Sequence, residues 1–349
     1  MKRERQANFE LLRIVLMLLI VMGHVIMYSG KSNQIGTIDY YIANFIRSFT
    51  MVAVNAFVLL TGYFGTNRNV KKLLRMDMRV CLYTWGGLIL GIIWGDHNFS
   101  LTKDIQLLFP VATKQYWFIS IYFVLCILSP YLNTFLEYAS EKMLKEALLV
   151  GFVMFYILAT GAFLINAAQI VMDAGYGIVN FVYLYCLGFY IRHYDEKLKG
   201  TAIPLLMYIL ACIGTFVVNV VMSRIMGFYF DAMISYNTVF TLSGSIGLFV
   251  CFKNLKIKQN PFVTWLGKHS LSVYLIHMCP PISAFLFQKI LRVGQFSGFA
   301  FAAIIVMLPP VVYLVSAIVD FIVDLLLTPI LNACERVFSR ARHKQTLFR

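Results

Sequence analysis

The sequence predicts an all-α, polytopic membrane bundle of about ten transmembrane helices, and three observations carry that prediction. Of the 349 residues, 60% are hydrophobic and only 13% are charged, where a soluble domain carries about a quarter charged residues. The apolar positions gather into runs of about 17 to 25 residues, the length that crosses a hydrocarbon core. The basic residues alternate between successive connections, as the positive-inside rule requires.

The ten predicted spans are Leu11–Ser29, Tyr40–Phe64, Arg79–Gly95, Tyr116–Leu136, Lys145–Asn166, Gly177–Arg192, Ile203–Met222, Ser235–Phe252, Ser270–Ile290 and Gly298–Val323. With the N-terminus cytoplasmic, 22 of the 30 Lys and Arg fall in cytoplasmic segments and 6 in external ones, while Arg13 and Arg47 lie inside spans. An odd number of spans would put the basic Arg336–Arg349 tail outside, against the rule. The formal charge of +14 is thus a topology signal, not the one-faced basic patch of a nucleic-acid binder. The 7 cysteines stand singly, mostly in apolar runs, and read as small buried hydrophobes without metal-type spacing. The basic start before Ile14–Met22 resembles a secretory signal, but no small-residue cleavage site follows it. Lys103–Thr113 reads as a short amphipathic segment on the outer membrane surface. A single transmembrane domain over residues 1–349 is the economical organisation.

An ionisable group in hydrocarbon costs about 2.5 to 3.5 kcal/mol on insertion scales, so each one in a span is a functional candidate. The first span holds Glu10, Arg13 and His24. The steps from Arg13 to His24 turn a helix through about 1100°, close to three full turns, and rise about 16 Å. The two side chains therefore share a face, and Glu10, three residues before Arg13, can pair with its guanidinium. Read alone, these residues also fit interfacial anchors with a histidine near the outer headgroups. Their partners on other spans shift the balance: Asn55 on the second, Tyr116, Trp117 and Tyr122 on the fourth, and Tyr274 and His277 on the ninth. Two intramembrane histidines with an aromatic cluster point to an inward-facing site. Arg47 reads as a snorkelling side chain, and Asp320 with Asp324 as the cytoplasmic end of the last span.

At these residues the chain resembles the acyltransferase-3 family of bacterial membrane acyltransferases, many of which O-acetylate or O-succinylate surface polysaccharides. The marks are Asn8-Phe9-Glu10-Leu11-Leu12-Arg13 followed by Gly23-His24, then Asn55-Ala56-Phe57 leading to Gly62-Tyr63-Phe64. Tyr116-Trp117-Phe118 with Pro130 follows, and finally Ser272-Val273-Tyr274-Leu275-Ile276-His277. The order and spacing run through nearly the whole chain. The resemblance implies that His24 is the catalytic histidine and Arg13 its arginine partner. It also implies a donor contact near the start of the third span, where many members carry two arginines three apart. Here the stretch is Arg75-Met76-Asp77-Met78-Arg79, so Arg79 fits the second position and Arg75 or Lys72 stands in for the first. The chain lacks the Trp-Ser-Leu and paired-glutamate signature of other members and resembles the polysaccharide-modifying branch.

The chemistry expected is acyl transfer from cytoplasmic acyl-CoA, acetyl-CoA in the first instance, to a hydroxyl of an extracytoplasmic or lipid-linked sugar. That reaction needs a base at the attacking oxygen and stabilisation of the oxyanion, and neutral imidazole suits the first task near pH 7. Arg75, Arg79, Lys72 and Arg13 would meet the CoA phosphates. Trp117, Tyr116 and Tyr122 would offer rings and hydroxyls to the sugar, and Glu10, Asn55, Tyr274 and His277 would support the site. Ser270 or Ser272 is a minor candidate for an acyl-enzyme. No bound cofactor and no metal is expected, since no carboxylate or cysteine sits at ligand spacing from the histidines. The strongest rival is a transporter or flippase for a lipid-linked or polymeric sugar, but the matching halves common in transporters are not evident. An idle scaffold is a second rival, and it would tolerate loss of both His24 and His277.

Overall fold

A computed structural model of the chain describes residues 5–95, 99–171, 173–194 and 199–346, with side chains described as far as Leu326. Part of the charge count above, Lys2, Arg3, Lys197 and the side chains of the Arg336–Arg349 tail, lies outside the described residues. Among the described residues all regular structure is helical. The α-helices are α1 (Ala7–Ser29), α2 (Ile38–Thr50), α3 (Val52–Phe64), α4 (Val70–Ile93), α5 (Leu101–Leu108), α6 (Trp117–Tyr138) and α7 (Glu141–Phe152). They continue with α8 (Leu158–Leu164), α9 (Ile178–His193), α10 (Ala202–Met226), α11 (Val239–Asn254), α12 (Pro261–Lys268), α13 (Ser270–His277) and α14 (Gly298–Thr346).

Among the described residues, eight segments are long and apolar enough to cross a membrane: Ala7–Ser29, Ile38–Phe64, Val70–Ile93, Trp117–Tyr138, Glu141–Leu164, Ala202–Met226, Ala232–Asn254 and Gly298–Leu326. They coincide with eight of the ten predicted spans. The sixth predicted span is α9, which has only 16 residues. The ninth is not one helix. Its helical part ends at His277, and Phe285–Ile290 resumes as a π-helix. The cause lies at Pro280 and Pro281, which lack backbone donors and disfavour helix at Cys279. The third span also begins earlier than predicted, at Val70, because the Asn69 side chain accepts from the Lys72 amide at 3.1 Å and caps the helix.

α1 is the central strut and packs against α2, α3, α11, α12, α13 and α14. Its two sides feed two separate apolar cores. Phe9, Leu12 and Leu16 join the core built on α3, α9 and α11, while Ile14, Met17, Val21 and Val25 join the one built on α13 and α14. The stripe between them carries Arg13 and His24. At the far end of α1, Lys31 pairs with Asp39 at 2.6 Å, and the other Asp39 oxygen accepts from the Gly298 amide at 2.6 Å. This joins the start of α14 to α2.

Where apolar helices gain little from hiding hydrocarbon, close approach at small residues brings them together. A Cβ on Gly62 would lie 2.1 Å from the Tyr185 carbonyl oxygen, and one on Gly188 would lie 2.3 Å from that of Leu59. The α3–α9 seam is thus backbone against backbone. Gly188→Leu is expected to lose the folded monodisperse protein, read by size-exclusion chromatography in detergent; a normal profile would show that this seam tolerates a side chain.

Candidate functional site

A cavity of about 600 Å³ runs alongside α1 and is lined from Arg5 at one end of that helix to Met27 at the other. At a rise of about 1.5 Å per residue this covers the thickness of a hydrocarbon core. Arg13, Met17, Ile20 and His24 follow one another along its wall. Opposite them stand Trp117, Phe118 and Tyr122 from α6 and Leu271 and Tyr274 from α13. Its lining combines basic side chains, Arg5, Arg13, Arg47 and Lys268, with apolar and aromatic ones.

The imidazole of His24 faces the cavity, and its Nδ1 lies 3.0 Å from Nε2 of His277, a fully buried ring on α13. Nδ1 of His277 is 2.5 Å from the Val273 carbonyl, one turn earlier on the same helix. A carbonyl can only accept, so Nδ1 of His277 carries the proton and its Nε2 is the acceptor. His24 therefore donates from Nδ1, and its own Nε2 keeps a lone pair. The helix break at Cys279–Pro281 leaves His277 at the very end of α13, where it can meet α1.

Towards the other end of the cavity, Glu10 is 2% exposed and accepts from Arg13 at 2.6 Å and from Arg5 at 3.1 Å. Gly267 makes room for this carboxylate, since a Cβ there would lie 2.4 Å from Glu10 Oε2. Arg5 and Lys268 line the cavity beside Arg13. Neither appears among the sequence-predicted residues, because a basic residue before the first span and another before the ninth read as ordinary topology signals.

The remaining predicted residues divide into three groups. Trp117, Tyr122 and Tyr274 line the cavity. Asn55 stands behind it, fully buried, donating to the Tyr236 carbonyl at 2.8 Å and accepting from Asn180 at 3.3 Å. It thereby fixes Tyr236, which stacks on Trp117 with ring centroids 5.5 Å apart. Tyr116 is turned away from the cavity: it is 1% exposed and its hydroxyl donates to the Leu275 carbonyl at 2.9 Å. It braces α13 and presents no ring face to a ligand. Lys72 and Arg75 are exposed on α4, whose Met76 lines the cavity.

Arg79 departs most from expectation. Its guanidinium bonds Asp324 and lies 3.5 Å from Asp320 and 3.4 Å from Ser272 Oγ. Asp320 is fully buried and also binds His269 Nδ1 and the Tyr83 hydroxyl, each at 2.5 Å. These carboxylates do not merely mark the end of the last span; they form a clamp joining α4, α13 and α14. His269, Asp320 and Asp324 are close enough to share a cation, but Arg79 already meets both carboxylates and Lys268 also meets Asp324. The serines differ too. Ser270 lies on the cavity wall but donates to Gly267 O at 3.0 Å and pairs with Tyr313 at 2.9 Å, with no imidazole partner to activate it.

Removing one partner from a buried ion pair costs about 3 to 5 kcal/mol. Arg79→Ala is expected to lower the melting temperature markedly, and adding Asp324→Asn should recover part of it; an unchanged melting temperature would contradict the clamp.

The model of the acyltransferase domain family matches residues 6–322, which include both histidines and the cavity-lining residues other than Arg5. No curated protein and no solved structure matches the chain significantly. With the family model spanning nearly the whole chain, this multi-pass membrane protein belongs to the acyltransferase domain family.

Proposed function

We propose that this protein acts as one transmembrane domain in the cell membrane, with both termini cytoplasmic, and transfers an acyl group, acetyl in the first instance, from acyl-CoA to a hydroxyl of an extracytoplasmic or lipid-linked sugar. The observation that carries this reading is the chain of contacts from His24 Nδ1 through His277 to the Val273 carbonyl, which assigns the free lone pair to His24 Nε2.

The donor enters at the Arg5 end. Arg5, Arg13 and Lys268 in the cavity, with Lys72 and Arg75 exposed on α4, supply positive charge for the phosphates of CoA. The pantetheine arm then follows the apolar wall past Met17 and Ile20, bringing the thioester to His24. The sugar enters at the Met27 end. His24 Nε2 takes the hydroxyl proton, the oxygen attacks the thioester carbon, and the tetrahedral intermediate expels the CoA thiolate. The proton on His24 passes to that thiolate, so ester and free CoA thiol are the products. While His24 is protonated, its Nδ1–H bond to His277 is charge-assisted and stronger. His277 is thus a positioning residue that holds the ring in the useful tautomer. Tyr274, one turn before it on the cavity wall, offers a hydroxyl donor to the oxyanion.

With no base-paired nucleophile on the wall, direct transfer from donor to acceptor is the step that fits the site. General-base catalysis contributes about a hundredfold to ten-thousandfold. His24→Ala is expected to abolish transfer of labelled acetyl from acetyl-CoA to glycan while membrane abundance stays normal; retained transfer would remove His24 as the base. His277→Ala should lower kcat about a hundredfold, and His277→Gln, whose carbonyl can accept the same bond, should recover part of that; equal activity of the two variants would contradict the tautomer role.

A further inference from the structure

Arg47 does not snorkel to a headgroup. It lines the same cavity as His24, at the Met27 end. Its position follows from α2: Thr50 Oγ1 would lie 3.1 Å from a Cβ on Gly23, the neighbour of His24, and Thr50 donates to the Arg47 carbonyl at 2.9 Å, one turn away. Arg47 Nη1 donates to the Tyr229 hydroxyl at 2.7 Å and to Asp231 Oδ2 at 3.2 Å. Tyr229 is itself held by Asn44 Oδ1 at 3.2 Å. One nitrogen of the guanidinium makes both of these bonds. Asp231 is 41% exposed and meets Arg47 through Oδ2. At the same end, Trp117, Tyr176 and Tyr236 form a cluster with ring centroids 4.6 to 5.5 Å apart, and all three rings line the cavity.

A sugar hydroxyl both donates and accepts, and two adjacent hydroxyls match a guanidinium N–H beside a carboxylate oxygen. A pyranose also has an apolar C–H face that suits an aromatic ring. The Arg47–Asp231 pair has no net charge, and its carboxylate would repel an anionic group brought to the guanidinium. We propose that Arg47 and Asp231, with the Trp117–Tyr176–Tyr236 rings, form an acceptor subsite selective for a neutral pyranose with adjacent free hydroxyls, over a uronic acid or a phosphate-bearing unit. The inference rests on the acyltransferase reading above and adds the class of acceptor.

The test is acetyl transfer from labelled acetyl-CoA by the full chain in lipid nanodiscs to p-nitrophenyl glycosides. A neutral panel (glucoside, galactoside, mannoside) is compared with the glucuronide, which replaces the glucoside's hydroxymethyl by a carboxylate. The expected result is transfer to at least one neutral glycoside at a kcat/KM about tenfold or more above the glucuronide, a difference worth about 1.4 kcal/mol. Arg47→Met should raise the KM for that glycoside about tenfold while the KM for acetyl-CoA moves far less, and Asp231→Asn should narrow the discrimination against the glucuronide. Preference for the glucuronide, an unchanged glycoside KM in Arg47→Met, or no transfer to any neutral glycoside while acetyl-CoA is still hydrolysed in a His24-dependent way would overturn the subsite and leave the acyltransferase reading standing. Absence of all His24-dependent turnover of acetyl-CoA would sink both.

Discussion

Guanidinium groups, imidazoles and carboxylates on helices of this apolarity cannot be turned towards hydrocarbon, where each would cost several kcal/mol. They must be paired, or they must line a space that water and substrates can reach. The chain uses both solutions. Glu10 and Asp320 are buried and fully engaged by cations and hydroxyl donors. Arg13, His24 and Arg47 line a common cavity. This constraint decides which face of α1 points inward, and through α1 it decides how the surrounding helices are arranged.

The two solutions work together at α13. Its first turn is held by the clamp of Arg79, Asp320 and Asp324 through Ser272 and the neighbouring His269. Its last turn is braced by Tyr116 on the Leu275 carbonyl and ends at the proline pair. His277 therefore sits on a short helix fixed at both ends, a fit setting for a residue that must hold another ring in place. The Trp117 cluster has a similar backing, since Asn55 and Asn180 tie Tyr236 to the chain around Gly175.

Much of this was legible in the sequence, and the failures have physical causes. Helical periodicity alone places Arg13 and His24 on one stripe of α1, and hydropathy finds the long spans. The broken ninth span was also readable from Pro280 and Pro281, but a count of apolar residues does not register a missing backbone donor. The role of Arg79 was not readable. A basic residue at a span end looks the same whether it meets a ligand or a carboxylate, and Asp320 lies 241 positions away. In the sequence Arg47 is an isolated charge, and only the fold brings Tyr229 and Asp231 to it. The pairing of His24 with His277 joins residues 253 positions apart. Their shared presence in spans gave the hint; the direction of the hydrogen bond needed the position of the Val273 carbonyl.

The central claim is that one continuous cavity carries the donor from the basic end of α1 to the lone pair of His24. Its most direct measurement is an experimental structure with a non-transferable thioether analogue of acetyl-CoA bound. The account predicts density for the phosphates among Arg5, Arg13 and Lys268, and for the acyl group beside His24, with room between its carbonyl carbon and His24 Nε2 for one hydroxyl oxygen at hydrogen-bond distance, about 3 Å, from that nitrogen. An analogue whose acyl end lies outside this cavity, with the His24–His277 pair untouched, would contradict it.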